Sequence, residues 1–285
     1  MGACLFDRNR EAQDLKHLRG TEIMEIPQSA GNIRLRFDFW NYHCNPTTED
    51  RTFEHPEPPF NRLFIFFDRG GEVVTGGKCF RLRPETFYLL PEGQPFVATY
   101  FAGGSLLYVH FHLADRTLHR VFAGQRGILE LHSPPLAALF AEQRESPWNP
   151  ELQNAVVGTV VRMLTPEMRS ALRERAGLAE EFGPLFSLLE GTLPAQVRIS
   201  ELADASGMTP GALSKRFQRR FGIPLKEFIS NRILQEARQM LAGSGIPVTD
   251  AARQLGYRDP HYFHRFFLAH AGCTPQEFRK RGKQE

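Results

Sequence analysis

Ser200-Glu201-Leu202-Ala203-Asp204-Ala205-Ser206-Gly207-Met208 returns 49 residues later as Thr249-Asp250-Ala251-Ala252-Arg253-Gln254-Leu255-Gly256-Tyr257. The echo sets hydroxyl over hydroxyl, acid over acid, Ala203 over Ala252 and Gly207 over Gly256. After one inserted residue the offset becomes 50. Leu213 then stands over Phe263, Phe217 over Phe267, Gly222 over Gly272 and Glu227-Phe228 over Glu277-Phe278. Self-similarity at this period marks a repeated supersecondary unit.

Each copy has the parts of a helix-turn-helix. Its first helix is expected to open on Ser200 or Thr249 as a hydroxyl cap, with Glu201 or Asp250 at the positive end of the helix dipole. Ala203 and Ala252 are small where a second helix must cross closely. Gly207 and Gly256 fall where the chain turns and positive φ is needed. The second helix then starts on Thr209-Pro210 in one copy and Asp259-Pro260 in the other, a capping residue before a first-turn proline. Leu213 with Phe217, and Phe263 with Phe267, bury one face. The opposite faces carry Ser214, Lys215 and Arg219, and His261, His264 and Arg265.

Between the units, Leu225 to Leu241 places Phe228, Ile229, Ile233, Ala237, Met240 and Leu241 at steps of three and four. This pattern predicts an amphipathic helix of about 17 residues, near 26 Å long. Such a rod can hold two recognition helices roughly one DNA turn apart, ~34 Å. Charge follows the same division: residues 194–285 carry a net +7 and the remainder −4. A basic third suggests that one end of the chain meets a polyanion.

The 285 residues, 41% hydrophobic and 24% charged, predict a soluble chain of two domains. No apolar run is long enough for a membrane span. Met1 to Gly20 is too charged for a secretory leader, and Phe6 stands where a myristoylation motif needs Ser or Thr. Cys4, Cys44, Cys79 and Cys273 lie far apart, without the spacing of a zinc site or a disulfide scaffold, and read as reduced cytosolic thiols.

Upstream, the period changes. Ile33 to Phe39 alternates apolar and charged residues, as a half-buried strand does. Further strands are predicted at Arg62–Phe67, Glu72–Thr75, Cys79–Leu82, Phe87–Leu90, Phe96–Tyr100 and Leu106–Leu113, separated by glycine-rich turns. This spacing indicates a barrel or sandwich. Pro135–Glu145, Pro150–Leu164 and Pro166–Gly177 read as helices with proline at or near the start.

Ile199 to Arg279, through Ile-Ser-Glu-Leu-Ala, Leu-Ser-Lys-Arg-Phe-Gln-Arg-Arg-Phe-Gly, Ala-Arg-Gln-Met-Leu and Gly-Tyr-Arg-Asp-Pro-His-Tyr-Phe-His-Arg-Phe-Phe, resembles the DNA-binding domain of the AraC/XylS family of transcription regulators. The N-terminal half resembles the family more loosely, through Arg83 to Pro91, with Glu85 where the family usually has Gly, and through Tyr108-Val109-His110-Phe111. The resemblance implies an α+β, two-domain chain. Residues 1–175 would form a cupin-like β-barrel with following helices that senses a ligand and dimerises. Residues 176–285 would form an all-α DNA-binding domain, with helix-turn-helix units at about 199–222 and 248–272.

The same resemblance implies a cytoplasmic, sequence-specific activator without cofactor or catalysis. Its partners would be double-stranded promoter DNA, a sugar-like effector, a second copy of the chain and RNA polymerase. Base-reading positions fall on Gly211, Ser214 and Lys215, and on His261, His264 and Arg265; Gly211 has no side chain to read with. Thr209, Arg216 and Arg219 complete the expected DNA face, the arginines toward phosphates. Effector contacts fall by position on Arg69, Tyr108 and His110. Two other readings compete: a constitutive DNA-binding dimer whose barrel serves only for dimerisation, and a metal-dependent cupin enzyme with a helical tail. A metal cupin follows its His-x-His closely with Glu, whereas His110-Phe111-His112 is followed by Leu113-Ala114-Asp115-Arg116.

Overall fold

Leu63-Phe64-Ile65-Phe66 is apolar at every position, and every one of its side chains is buried. A strand with that pattern needs cover on both faces. In the computed structural model, which describes residues 20–26, 33–46, 49–56, 58–143, 149–243 and 246–282, it has both. Residues 1–19, read above for a leader and containing Cys4, lie outside the described residues, as do the last two residues expected for the first helix, Arg144 and Glu145.

The strands are β1 (Gly20–Ile26), β2 (Ile33–Pro46), β3 (Arg51–His55), β4 (Asn61–Phe66), β5 (Gly71–Thr75), β6 (Lys78–Leu82), β7 (Thr86–Leu90), β8 (Phe96–Tyr100), β9 (Ser105–Asp115) and β10 (Leu129–His132). They form a six-stranded antiparallel sheet, β1-β2-β9-β4-β7-β10, and a four-stranded one, β3-β8-β5-β6. Phe64, Phe66, Tyr88, Leu90 and Leu106 of the large sheet pack against Val73, Leu82, Phe96, Ala98 and Tyr100 of the small one. On the other face of the large sheet, Leu63, Ile65, Phe87, Leu89, Val109 and Phe111 lie beneath helices α1 (Pro134–Gln143), α2 (Pro150–Met163) and α3 (Pro166–Glu181). Asn149 and Thr165 cap the last two helices, accepting from the Leu152 N–H at 2.9 Å and the Met168 N–H at 3.3 Å.

Three strands depart from the sequence expectation by existing at all. β1, β3 and β10 stand at sheet edges, where one flank is unpaired and little alternation is imposed. β2 runs seven residues beyond its expected end because a bulge between Phe39 and Asn41 resets the alternation that marked it. Gly76 and Gly77, at φ +56° and +74°, supply the two-residue turn between β5 and β6. Glu85 takes φ +59° without being glycine.

Helix α3 continues past Gly177 to Glu181, so the expected domain boundary at 175 falls inside a continuous helix. Beyond it come α4 (Gly183–Gly191), a 3-10 turn (Pro194–Gln196), α5 (Ile199–Ala205), α6 (Pro210–Phe221), α7 (Leu225–Gly243), α8 (Val248–Gln254), α9 (Pro260–Ala271) and α10 (Pro275–Gly282). Leu225, Ile229 and Ile233 of α7 join a first core with Leu202, Leu213 and Phe217. Ala237 and Leu241 join a second with Ala252, Phe263 and Phe267. The helix is therefore the shared wall of two small domains. Among the described residues no helix is long and apolar enough to cross a membrane.

Candidate nucleic-acid interface and barrel site

The two repeat units fold alike in detail. The Met208 N–H donates to Ala203 O at 2.9 Å, and the Tyr257 N–H to Ala252 O at 3.0 Å. Gly207 and Gly256 take φ +64° and +96°, and Gly222 and Gly272 close α6 and α9 in the left-handed region at +75° and +72°. Exposure runs in the same order along residues 211–222 and 261–272. Thr209 accepts from the Ala212 N–H at 3.3 Å and Asp259 from the His261 N–H at 2.9 Å, the caps expected there. The caps expected of Ser200 and Thr249 are not formed. The N-cap positions of α5 and α8 lie two residues earlier, at Arg198 and Pro247, and neither has a side-chain cap. Ser200 and Thr249 thus lie within the first turn.

On the outer face of α6, Gly211, Lys215 and Arg219 are exposed, while Ser214 is half-buried and its hydroxyl donates to Pro210 O at 2.8 Å. On α9, His261 and Arg265 are exposed and His264 is half-buried. The Arg265 guanidinium lies over the ring of Tyr262, 4.4 Å from its centroid, and Tyr262 is 61% exposed. The sequence reading passed over Tyr262 as one aromatic among several. The matched burial order, which places it outward like Ala212, is the signal that finds it.

Arg216, expected on the DNA face, is half-exposed and engaged by an acid. It pairs with Glu181 at 2.9 Å and lies over the Phe182 ring, 5.5 Å from its centroid; Arg220 pairs with the same carboxylate at 2.8 Å. Burial alone would raise the Glu181 carboxyl, but hydrogen bonds from Arg216 and Arg220 outweigh it and hold its pKa below the usual value. Glu181 lines a cleft of about 390 Å³ with Lys215, Arg216, Arg219 and Arg220, so the last residue of α3 sits among the cations of α6.

Inside the barrel the structure brings together two of the three residues expected to meet an effector. Tyr108 and His110 lie with ring centroids 5.1 Å apart. Arg69 is elsewhere: exposed, donating to Ala102 O at 3.3 Å in a surface groove with Asp50, Arg81 and Arg83. In its place stands Arg62, 3% exposed, which the sequence reading passed over. Its Nε donates to His110 Nε2 at 2.5 Å, and its NH1 group meets His55 Nε2 at 2.8 Å. Burial, and then the positive charge of Arg62, push the His110 pKa well below the ordinary histidine value. A neutral ring is what accepting from a guanidinium requires. Further along, His112 Nδ1 lies 3.4 Å and the Arg120 guanidinium 3.3 Å from the Glu92 carboxylate. Burial raises the Glu92 pKa against the pull of Arg120. Arg62 was legible as the one charge in a strand whose later positions are apolar on both faces.

A helix-turn-helix domain family model matches residues 202–281. The transcriptional activator RhaR of Yersinia pseudotuberculosis serotype O:1b is 26% identical over 102 residues, 36% of this chain. The match spans 35% of the length of RhaR. The transcriptional activator AarP of Providencia stuartii is 30% identical over 91 residues, 32% of this chain and 67% of AarP. A crystal structure of a Chromobacterium violaceum transcriptional regulator with an AraC-type DNA-binding domain covers 38% of this chain and 97% of its own, at 21% identity and TM-score 0.34. Paired helix-turn-helix units on one bridging helix, and a relative matched over two thirds of its length, lead to one assignment: the chain belongs to the AraC family of transcription regulators.

Proposed function

We propose that the chain binds promoter DNA sequence-specifically through α6 and α9 and adjusts that binding to a small molecule held in the barrel. The observation that carries the reading is the duplicated geometry: two capped helices with superimposable exposure, joined by one rigid helix of 19 residues, about 28 Å long. Lys215 and Arg265 are suited to donate to guanine O6 and N7, while Ser214, His261 and His264 give less discriminating contacts. Thr209 fixes the start of α6, and Arg219 supplies phosphate attraction without base information. RhaR and AarP are activators by name, and activation of transcription, with RNA polymerase as partner, is the corresponding reading here.

Sensing and dimerisation are assigned to residues 1–175 and DNA binding to 176–285. Tyr108 and His110, with Arg62, support the barrel as the effector site. An effector shifts DNA binding only as far as its affinities for the two arrangements of the chain differ. Selection of binding sites from a random duplex pool by the full chain tests the DNA reading. Enrichment of two half-sites about one helical turn apart is expected, and a pool that stays random after repeated rounds overturns it. Sedimentation of the enriched complex then reports one copy or two.

A further inference from the structure

Among the described residues, several arginines are held by acids. Arg120 has Glu92, Arg175 has Asp115, and Arg216 and Arg220 share Glu181. Arg62 is more deeply buried than any of them, and among the described residues no carboxylate pairs with it. Its hydrogen-bond partners are two imidazoles, His55 and His110, which cancel none of its charge. Its other neighbours are aromatic faces. The guanidinium carbon lies 5.2 Å from the Phe60 centroid, 5.4 Å from Phe96 and 4.9 Å from Tyr108. Each imidazole is in turn stacked on a phenyl ring, His110 on Phe60 at 3.9 Å and His55 on Phe96 at 4.3 Å.

Such surroundings reduce the cost of burying a cation without removing it. Cation–π contacts offset only part of the cost of burying an ion without a counter-charge. Arginine is seldom buried unless paired, and its planar fork matches a carboxylate with two parallel hydrogen bonds. The two histidines spend acceptor nitrogens on Nε and NH1, which leaves the NH2 edge of the fork to another acceptor.

We propose that Arg62 is the anchor for an effector that carries a carboxylate, which completes the charge pairing inside the barrel. The proposal rests on the sensor reading above and narrows it from a sugar-like molecule to an anionic one. A sugar acid and a plain organic acid share the required chemistry. The partly exposed Tyr108 ring beside Arg62 is the surface against which the body of either would lie.

The test is thermal melting of the full chain at pH 8, above the ordinary histidine value, with sodium chloride holding ionic strength constant. Probes are D-glucuronate and D-galacturonate as sugar acids, acetate, butyrate and benzoate as plain acids, and D-glucose and D-galactose as neutral counterparts. At least one carboxylate is expected to raise the midpoint saturably, by roughly 5–10 °C at 100 times its dissociation constant. Which arm responds identifies the source of the carboxylate. Arg62→Met should abolish the response. If that variant lacks a cooperative melt, Arg62→Lys, which keeps the charge and loses the fork, should weaken it at least tenfold. A carboxylate response that survives these substitutions overturns the proposal. So does a neutral sugar that stabilises wild type and variant alike, but that result keeps the sensor reading. Silence from every probe, charged and neutral, rejects a carboxylate anchor and removes the support for the sensor as well.

Discussion

The Arg175 guanidinium meets Asp115 across 60 residues of sequence, Nε to Oδ2 at 2.6 Å, and so fastens α3 to the end of β9. The Asp115 carboxylate is buried and also accepts from the Thr117 N–H at 2.8 Å, the Thr117 hydroxyl at 2.6 Å and the His119 N–H at 3.2 Å. One acid thus shapes the loop after β9 and holds the helix that leads to the DNA-binding units. In the same loop, Leu118 packs against the core of the first unit. Asp115→Ala strands the partly buried Arg175 and frees the loop. The expected loss is about 3 kcal/mol, read as a lower urea midpoint; a loss under about 1 kcal/mol would make the pair an ornament of the surface.

Lys215→Ala and Arg265→Ala should each lower the preference for the selected site over random duplex by about 1–3 kcal/mol. Arg219→Ala should weaken both duplexes equally and flatten the salt dependence by about one contact. Titrations by fluorescence anisotropy at several salt concentrations separate the two kinds of residue. Equal losses on both duplexes for Lys215 and Arg265 would mean that neither reads a base.

Glu181 engages two arginines of α6 with a single carboxylate, and a negative charge there opposes the approach of a phosphate backbone. Glu181→Gln should tighten binding to random duplex and steepen the salt slope by about 1–2 contacts, as Arg216 and Arg220 become available. Weaker binding in that variant would instead mean that Glu181 holds these arginines where DNA needs them.

His110 is held neutral by burial and by Arg62, with His55 and His112 adding to the effect. Its folded pKa is depressed, so the unfolded chain takes up a proton first as pH falls. The contribution of His110 to stability is complete above 6.5, the ordinary histidine value, and is lost progressively below it. Burial lowers His119 too, and it acts in the same window. His110→Gln retains an acceptor for Arg62 without titrating. Its urea midpoint should fall less than that of wild type between pH 7.5 and 5.5, and identical slopes would refute the assignment.

Glu85 sits in the left-handed region in the turn before β7, and its carbonyl accepts from the Ser133 N–H at 3.1 Å. A side chain in that region costs about 1–2 kcal/mol, part of which glycine gives back through its freer unfolded chain. Glu85→Gly should therefore stabilise the protein by about 0.5–1 kcal/mol, raising the thermal midpoint. A lower midpoint would point to an interaction of the Glu85 side chain that outweighs the strain.

The DNA-binding half was legible from sequence because its signals are local and appear twice. Thr209-Pro210 and Asp259-Pro260 do what their residue types dictate, and so do the four turn glycines. The misreadings at Ser200 and Thr249 were errors of two positions. In the barrel, central strands were legible, while β1, β3 and β10 escaped as edges and β2 was cut short at its bulge. The barrel site was half legible: Tyr108 and His110 alternate visibly on one strand, but their meeting with Arg62 and His55 depends on pairing between distant segments. Glu181 escaped for the same reason, since a helix-terminal acid carries no mark of the arginines it will meet 35 and 39 residues later.

Gly211 lies exposed in the first turn of α6, and a methyl group built there meets nothing within 4 Å. On the DNA reading proposed above, α6 carries a blank here, at a position where a side chain needs no repacking of its neighbours. Arginine there offers a fork to guanine, and asparagine or glutamine a pair of hydrogen bonds to adenine. Stability cost is limited to solvent exposure of one more side chain, and glycine-to-side-chain replacement in a helix is favourable in itself. On that reading the chain is an unfinished reader, and one codon is enough to give its base preference a new letter.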